Sequence, residues 1–279
     1  MRDSLLLLLF SLAAFVSIVV LLFVLLFTFS GGAPALSPTF LFSNWSHADI
    51  SQGGIFQAIV GTILLGIGIA VLSIPIGIAT AVYLHEYAKD SFASVLIRLA
   101  IRNLAGVPSI VYGLFGLAFF VLFLKLGTSL AAASLTLGAM TLPWIITASE
   151  EALKGVPYSF REASLALGAT KWETIRRVVL PNALPGMLTG AILGVSRAIG
   201  ETAPIILVGA TFFITGLPAS PLDKFMALSY HIFILATQHS SPLAQSFALG
   251  SALVLIFLVF CLNFFVFVFR YRLRKNKEW

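Results

Sequence analysis

Six long apolar blocks, roughly residues 5–29, 55–84, 101–124, 130–148, 183–214 and 246–269, dominate this chain, with shorter polar stretches between them. A hydrocarbon layer of about 30 Å takes about twenty helical residues to cross, so each block is long enough to span a membrane as a helix. The pattern predicts an all-α membrane protein with six transmembrane helices, folded as one domain over residues 1–279. The first block runs apolar for about 25 residues, beyond the roughly 7–15 of a cleavable signal, and predicts a retained anchor despite the small residues Gly31 to Ala35 that follow it. Between the first two blocks, Ser30–Gly54 carries Pro34, Pro38 and Trp45, which predict an ordered interfacial cap.

One segment, residues 149–182, departs from this pattern by being polar and helix-patterned. Ser159 with Glu162, and Thr170 with Glu173, each stand in capping-box spacing and predict two helix starts. Gly168 falls between them where a left-handed C-cap belongs. Phe160, Ala163, Ser164 and Leu167 are expected on one face of the first helix, and Trp172, Ile175 and Val179 on one face of the second. Pro181 and Pro185 are expected to interrupt the second helix where the fifth block begins.

Composition narrows the class. Of 279 residues 59% are hydrophobic and only 10% charged, and the mean hydropathy is +1.03, which excludes an ordinary soluble domain. The net charge of +6 would point to nucleic acid in a soluble protein, but here the cations flank apolar blocks and nucleic acid is set aside. Fourteen of the 17 Lys and Arg fall on one side of the predicted topology: Arg2; Lys89, Arg98 and Arg102; Lys154, Arg161, Lys171, Arg176 and Arg177; and five between Arg270 and Lys277. Lys125 and Lys224 fall on the other. The positive-inside rule then places both termini and residues 149–182 in the cytoplasm, and the basic C-terminus reads as a stop at the lipid surface.

Few residues carry chemistry. Cys261 lies alone in an apolar run, and His47, His85, His231 and His239 show no metal-ligand spacing, so neither a metal nor a cofactor is predicted. No Gly-x-x-x-x-Gly-Lys-[Ser/Thr] loop is present; if transport is driven by ATP, another chain must hydrolyse it. Arg197 and Glu201 stand inside the fifth block, followed by Thr202 and Pro204. Arg197 is eleven residues beyond Gly186, about 16 Å of helix and close to mid-membrane depth, where each charge costs about 2.5–3.5 kcal/mol. Spaced four apart, the two charges are expected on one helix face, and Pro204 is expected to open the backbone beside them. The pair reads either as a helix-locking salt bridge or as an anion site in a water-lined path, with guanidinium offering a fork matched to a tetrahedral oxyanion. Asn103, Ser109 and Tyr112 could line the same path, although capping and ordinary helix packing account for them better. Asp223, Lys224, Met226 and His231 lie in the loop before the sixth block; they read by default as solvated loop residues, with contact to a binding protein as the alternative.

Glu162-Ala163-Ser164, three residues, Gly168, nine residues, then Val178-Val179-Leu180-Pro181 resembles the EAA loop of ABC importer permeases, with Ser164 for the second alanine and Val178 for isoleucine. Arg197 to Pro204, together with Leu104 to Gly113, is similar to signatures of the phosphate-specific Pst permeases, in the PstA-like rather than the PstC-like form. The resemblance implies a type I ABC importer permease (MetI-like) fold that translocates inorganic phosphate across a cell inner membrane. It further implies a PstC-like second permease, two PstB-like ATPase subunits that receive Glu162, Ala163, Gly168, Leu180 and Pro181, and a PstS-like periplasmic binding protein. It leaves Arg197, Glu201 and Thr202 for the substrate path. Other readings are a permease for sulfate or molybdate, a passive channel, and an intramembrane enzyme using Glu150, Glu151 or Glu201, which lacks any supporting catalytic motif.

Overall fold

A computed structural model of the chain describes residues 2–46, 53–88, 91–239 and 241–275. Lys89 and Lys277 of the charge count, and His47, lie outside the described residues. The rest is helical, with no strand among the described residues beyond a bridge between Ala210 and Phe225. Helices Leu6–Ala35, Phe56–Tyr87, Leu130–Lys154, Lys171–Ile199 and Pro242–Arg272 are each long and apolar enough to cross a membrane.

The helices run in order as α1 (Arg2–Gly32), α2 (Pro38–Phe42), α3 (Phe56–Val82), α4 (Phe92–Ala105), α5 (Ser109–Gly116), α6 (Leu130–Lys154), α7 (Tyr158–Ala166), α8 (Lys171–Thr174), α9 (Leu180–Ile199), α10 (Ala203–Val208), α11 (Leu228–Gln238) and α12 (Pro242–Lys275). Helix α3 continues into a π-helical turn at Tyr83–Tyr87, α5 into one at Leu117–Phe123, and α8 joins α9 through one at Ile175–Val179. That last turn absorbs Pro181. The expected interruption does not occur, and Lys171–Ile199 is one continuous helix of 29 residues.

The third and fifth apolar blocks differ from the hydropathy reading. Residues 92–123 form two helices bent by 103° across the break before Ser109, because Pro108 is extended (φ −58, ψ 141) and disfavours the helical region for Val107 before it. Residues 183–214 are helical only to Ile199, then turn at Gly200–Thr202 before the short α10. Apolarity alone does not report either break, since both broken segments remain greasy throughout.

Three apolar clusters stack along the bundle. Leu65, Ile69, Leu137, Val195, Ala198 and Ile205 fill its middle. Ala81, Leu84, Leu153, Val179 and Met187 fill the end that bears residues 149–182. Phe40, Trp45, Ile55 and Phe247 fill the opposite end and include the predicted cap, where α2 starts on Ser37. Lipid supplies no hydrophobic drive between helices, so small residues set their approach. Gly186 and Gly190 of α9 lie directly on Ala152 and Ala148 of α6, leaving no room for a Cβ. Helix α1, in contrast, is exposed from Leu6 to Phe27 and touches the body only near its end, where the Ser246 hydroxyl donates to the Gly31 carbonyl over 3.0 Å.

Candidate functional site

Helix α9 ends immediately after Arg197, at Ile199, and the bend between α4 and α5 falls opposite it. The close approach of α5 to α10 fixes this juxtaposition: a Cβ built on Gly113 would lie 2.7 Å from the Pro204 Cα. The two segments singled out in the sequence, Leu104–Gly113 and Arg197–Pro204, are thereby brought together across about ninety residues of chain. They enclose a cavity of about 220 Å³ lined by residues that include Gly106, Pro108, Ser109, Thr141, Trp144, Arg197 and Glu201. Its volume suits a small ion and a few waters rather than a bulky solute.

Each wall has a local cause. The Tyr112 hydroxyl donates to the Leu104 carbonyl over 2.9 Å, tying the start of α5 to the end of α4 across the bend. Pro108 precedes α5 and offers no side-chain cap, so the positive end of that helix is left open at the cavity wall beside Ser109. The Arg197 guanidinium lies over the Trp144 ring, 4.9 Å from its centroid. Ser196, next in the chain, donates to Asn263 of α12 over 3.1 Å and fixes the rotation of α9 at this level.

The expected one-face pairing of Arg197 with Glu201 is not made, because the helix stops between them. Gly200 donates to the Arg197 carbonyl and Glu201 to the Ala198 carbonyl, both at 3.1 Å, and the turn carries Glu201 off the α9 face. Arg197 is exposed on the isolated chain, whereas Glu201 is half-buried with its backbone carbonyl accepting from Ser229 at 3.1 Å. Both charges line the cavity; Thr202, the residue before α10, is not among its lining residues. Trp144 was not foreseen. An aromatic at mid-depth following Pro143 is the signal that marks it.

At the far end of α9, residues 149–182 form a separate constellation. Helix α6 runs on to Lys154, so Glu150 and Glu151 belong to it: Glu150 pairs with Arg98, and Glu151 with Lys154 at 2.7 Å. The Ser159–Glu162 capping box does not form, because α7 starts two residues earlier than that box requires, at Tyr158 directly after Pro157 in an extended conformation. The Thr170–Glu173 box does form, with Glu173 donating its amide to the Thr170 hydroxyl at 3.3 Å and accepting the Thr170 amide at 2.9 Å. Gly168 has φ +85, with its amide on the Leu165 carbonyl (2.9 Å) and the Ala169 amide on the Ser164 carbonyl (3.2 Å), a complete Schellman closure of α7.

The expected faces split on folding. Phe160 packs inward with Leu180, and Ile175 and Val179 are buried, while Glu162, Ala163, Pro181 and Trp172 are exposed and Leu167 is 90% exposed. The Ser164 and Thr174 hydroxyls bond at 2.9 Å and hold α7 against α8. An exposed apolar ridge of Tyr158, Leu165, Leu167 and Trp172 on a tied helix pair is suited to inserting into a groove on another protein.

Residues 73–278 match the family of the binding-protein-dependent transport system inner membrane component. The phosphate transport system permease protein PstA of Mycobacterium leprae is 37% identical over 239 residues, covering 82% of this chain and 77% of that one. PstA 1 of Mycobacterium tuberculosis is 37% identical over 229 residues, covering 78% and 73%. The probable ABC transporter permease protein YqgI of Bacillus subtilis is 32% identical over 243 residues, covering 83% and 82%. Among solved structures, an inward-facing MetNI methionine ABC transporter chain superposes with a TM-score of 0.64 at 19% identity, over 78% of this chain and 97% of that one.

Proposed function

The chain belongs to the inner membrane components of binding-protein-dependent transport systems, on their PstA-like branch, and from that membership we propose how its two constellations work. It is a multi-pass permease subunit of an ATP-driven ABC importer for inorganic phosphate, with the type I (MetI-like) arrangement of six spans. Arg197 contributes the cation of the anion path. A guanidinium at mid-span that is exposed on one chain would cost about 2.5–3.5 kcal/mol against lipid, so its open face is the one that a second, PstC-like permease closes over. Phosphate then passes between the two permeases, meeting Arg197, the open start of α5 at Ser109, and Glu201. Glu201 accepts a hydrogen bond from a protonated anion or, across the cavity, orients Arg197. Thr202 stands next to Glu201 at the start of α10, where its carbonyl accepts the Ile206 amide at 3.3 Å.

Residues 149–182 form the ATPase-facing end. Two PstB-like subunits hydrolyse the ATP, and the exposed surface around Glu162, Ala163 and Gly168, with Pro181 beside it, docks on one of them, while Leu180 packs behind it against Phe160. The basic excess at this end supports a cytoplasmic position for it and for both termini. A PstS-like binding protein delivers phosphate at the opposite end. The observation that carries the path is the meeting of Arg197 with the α4–α5 bend in one small cavity. The test is labelled-phosphate uptake by the assembled complex with Arg197→Gln, which is expected to lose uptake while still co-purifying with its ATPase. Normal uptake would sink the path, and equal competition by sulfate or molybdate would transfer the cargo to another oxyanion.

A further inference from the structure

The five-residue π-helical turn that ends α3, Tyr83–Tyr87, is gripped by cations from three other elements. Arg98 of α4 donates to the Leu84 carbonyl at 2.6 Å while pairing with Glu150 of α6. Arg161 of α7 pairs with Glu86 at 3.0 Å, and both side chains are largely withdrawn from solvent, at 12% and 9% exposed. Lys171 of α8 sits 4.9 Å from the Tyr87 ring centroid. The Arg161 guanidinium also donates to the Val156 carbonyl at 2.7 Å and the Leu153 carbonyl at 3.1 Å, satisfying acceptors at the end of α6. One side chain of α7 is therefore bonded simultaneously to the ends of α3 and α6, the two helices that pack most of the central core with α9.

We infer that Arg161 and Glu86 form the strut through which movement of α7 enters the transmembrane bundle, making Arg161 a positioning residue for coupled transport. The inference rests on the reading of residues 149–182 as the ATPase-facing end. Backbone continuity links residues 149–182 to α6 and α9 alone. Glu86 lies 75 residues from Arg161 in sequence; α3 also packs on α6 and α9 and meets Lys171 through Tyr87, and this pair is the charged hydrogen-bonded link from α7 to its end. A bundle that rocks as a unit needs α3 to follow α7, and a withdrawn, multiply bonded ion pair holds its geometry where a solvated one would slip. The π turn offers the matching compliance, since its hydrogen-bond ladder is already shifted by one residue.

The test uses the reconstituted complex with Arg161→Ala, Glu86→Ala, both together, and Arg161→Lys, reading the ATP hydrolysed per phosphate imported. Each alanine variant is expected to raise that ratio about fivefold or more, the double variant to be no worse than the worse single, and lysine to recover part of the loss. Unchanged ratios in the singles, or a double equal to the product of the singles, would overturn the strut. A parallel cross-link from Leu167→Cys to the ATPase separates the two levels. Absence of the cross-link in an otherwise intact complex removes the ATPase-facing reading and the strut with it; a normal cross-link with unchanged ratios removes the strut alone.

Discussion

Replacing Gly168 with valine isolates the contribution of a single backbone angle. At φ +85 an L-residue pays about 1–2 kcal/mol, and a β-branched one sits at the upper end or beyond. No heavy atom lies within 4 Å of where the new Cβ would stand, so the cost is backbone strain with no steric clash added. The strain opposes the Schellman closure from Ala169 to Ser164, and so the angle at which α8 leaves α7. About 1–2 kcal/mol moves the balance between the closed and opened pair by a factor of about 5–30. The assay is phosphate uptake and ATP hydrolysis by the reconstituted complex carrying Gly168→Asn or Gly168→Val. Asparagine tolerates the left-handed region and is expected to retain most coupled uptake; valine is expected to lose most of it while hydrolysis persists. If the two variants fall equally, the surface of a partner and not the backbone angle sets the requirement for glycine, and the reasoning is refuted.

Two further outcomes follow from packing and burial. Gly113→Leu forces α5 off Pro204 and is expected to abolish the Arg197 cavity and lower the yield of assembled complex; recovery of folded, transporting complex would count against the α5–α10 contact as the cause of the cavity. His231, outside the spans, is buried between Trp45 and Phe212, and burial pushes its pKa down to about 3. It stays neutral when folded but takes a proton near pH 6.5 when unfolded, so its stability contribution is complete above that pH and is lost as pH falls toward 3. From pH 7.5 to 5.5 the loss is about 1.4 kcal/mol. Thermal unfolding should show it in the wild type and not in His231→Phe, and identical pH dependence in the two would dismiss it.

What the sequence made legible was local. Apolar length located five helices long enough to cross a membrane but not the bend in the third block or the break in the fifth; Thr170 and Glu173 predicted a cap that forms, and Gly168 predicted a left-handed closure that the backbone adopts. The Ser159 box failed because Pro157 competes for the same helix start with a preset angle. Arg197 was visible as a charge at mid-depth, but its partner was misread, since spacing of four matters only while the helix continues and α9 ends at Ile199. The contacts that shape both sites join Arg197 to Trp144, Gly113 to Pro204 and Arg161 to Glu86, residues far apart in the chain. No periodicity encodes such distances.

The unbroken helix from Lys171 to Ile199 has a gearing ratio. It spans about 43 Å and lies closest to α6 at Gly186 and Gly190, midway between which stands Leu188. Measured from that fulcrum, the Lys171 arm is about 26 Å and the Arg197 arm about 14 Å. A tilt that swings the Lys171 end by about 4 Å therefore moves Arg197 by about 2 Å in the opposite direction, more than enough to make or break a hydrogen bond. The helix trades travel at one end for force at the other.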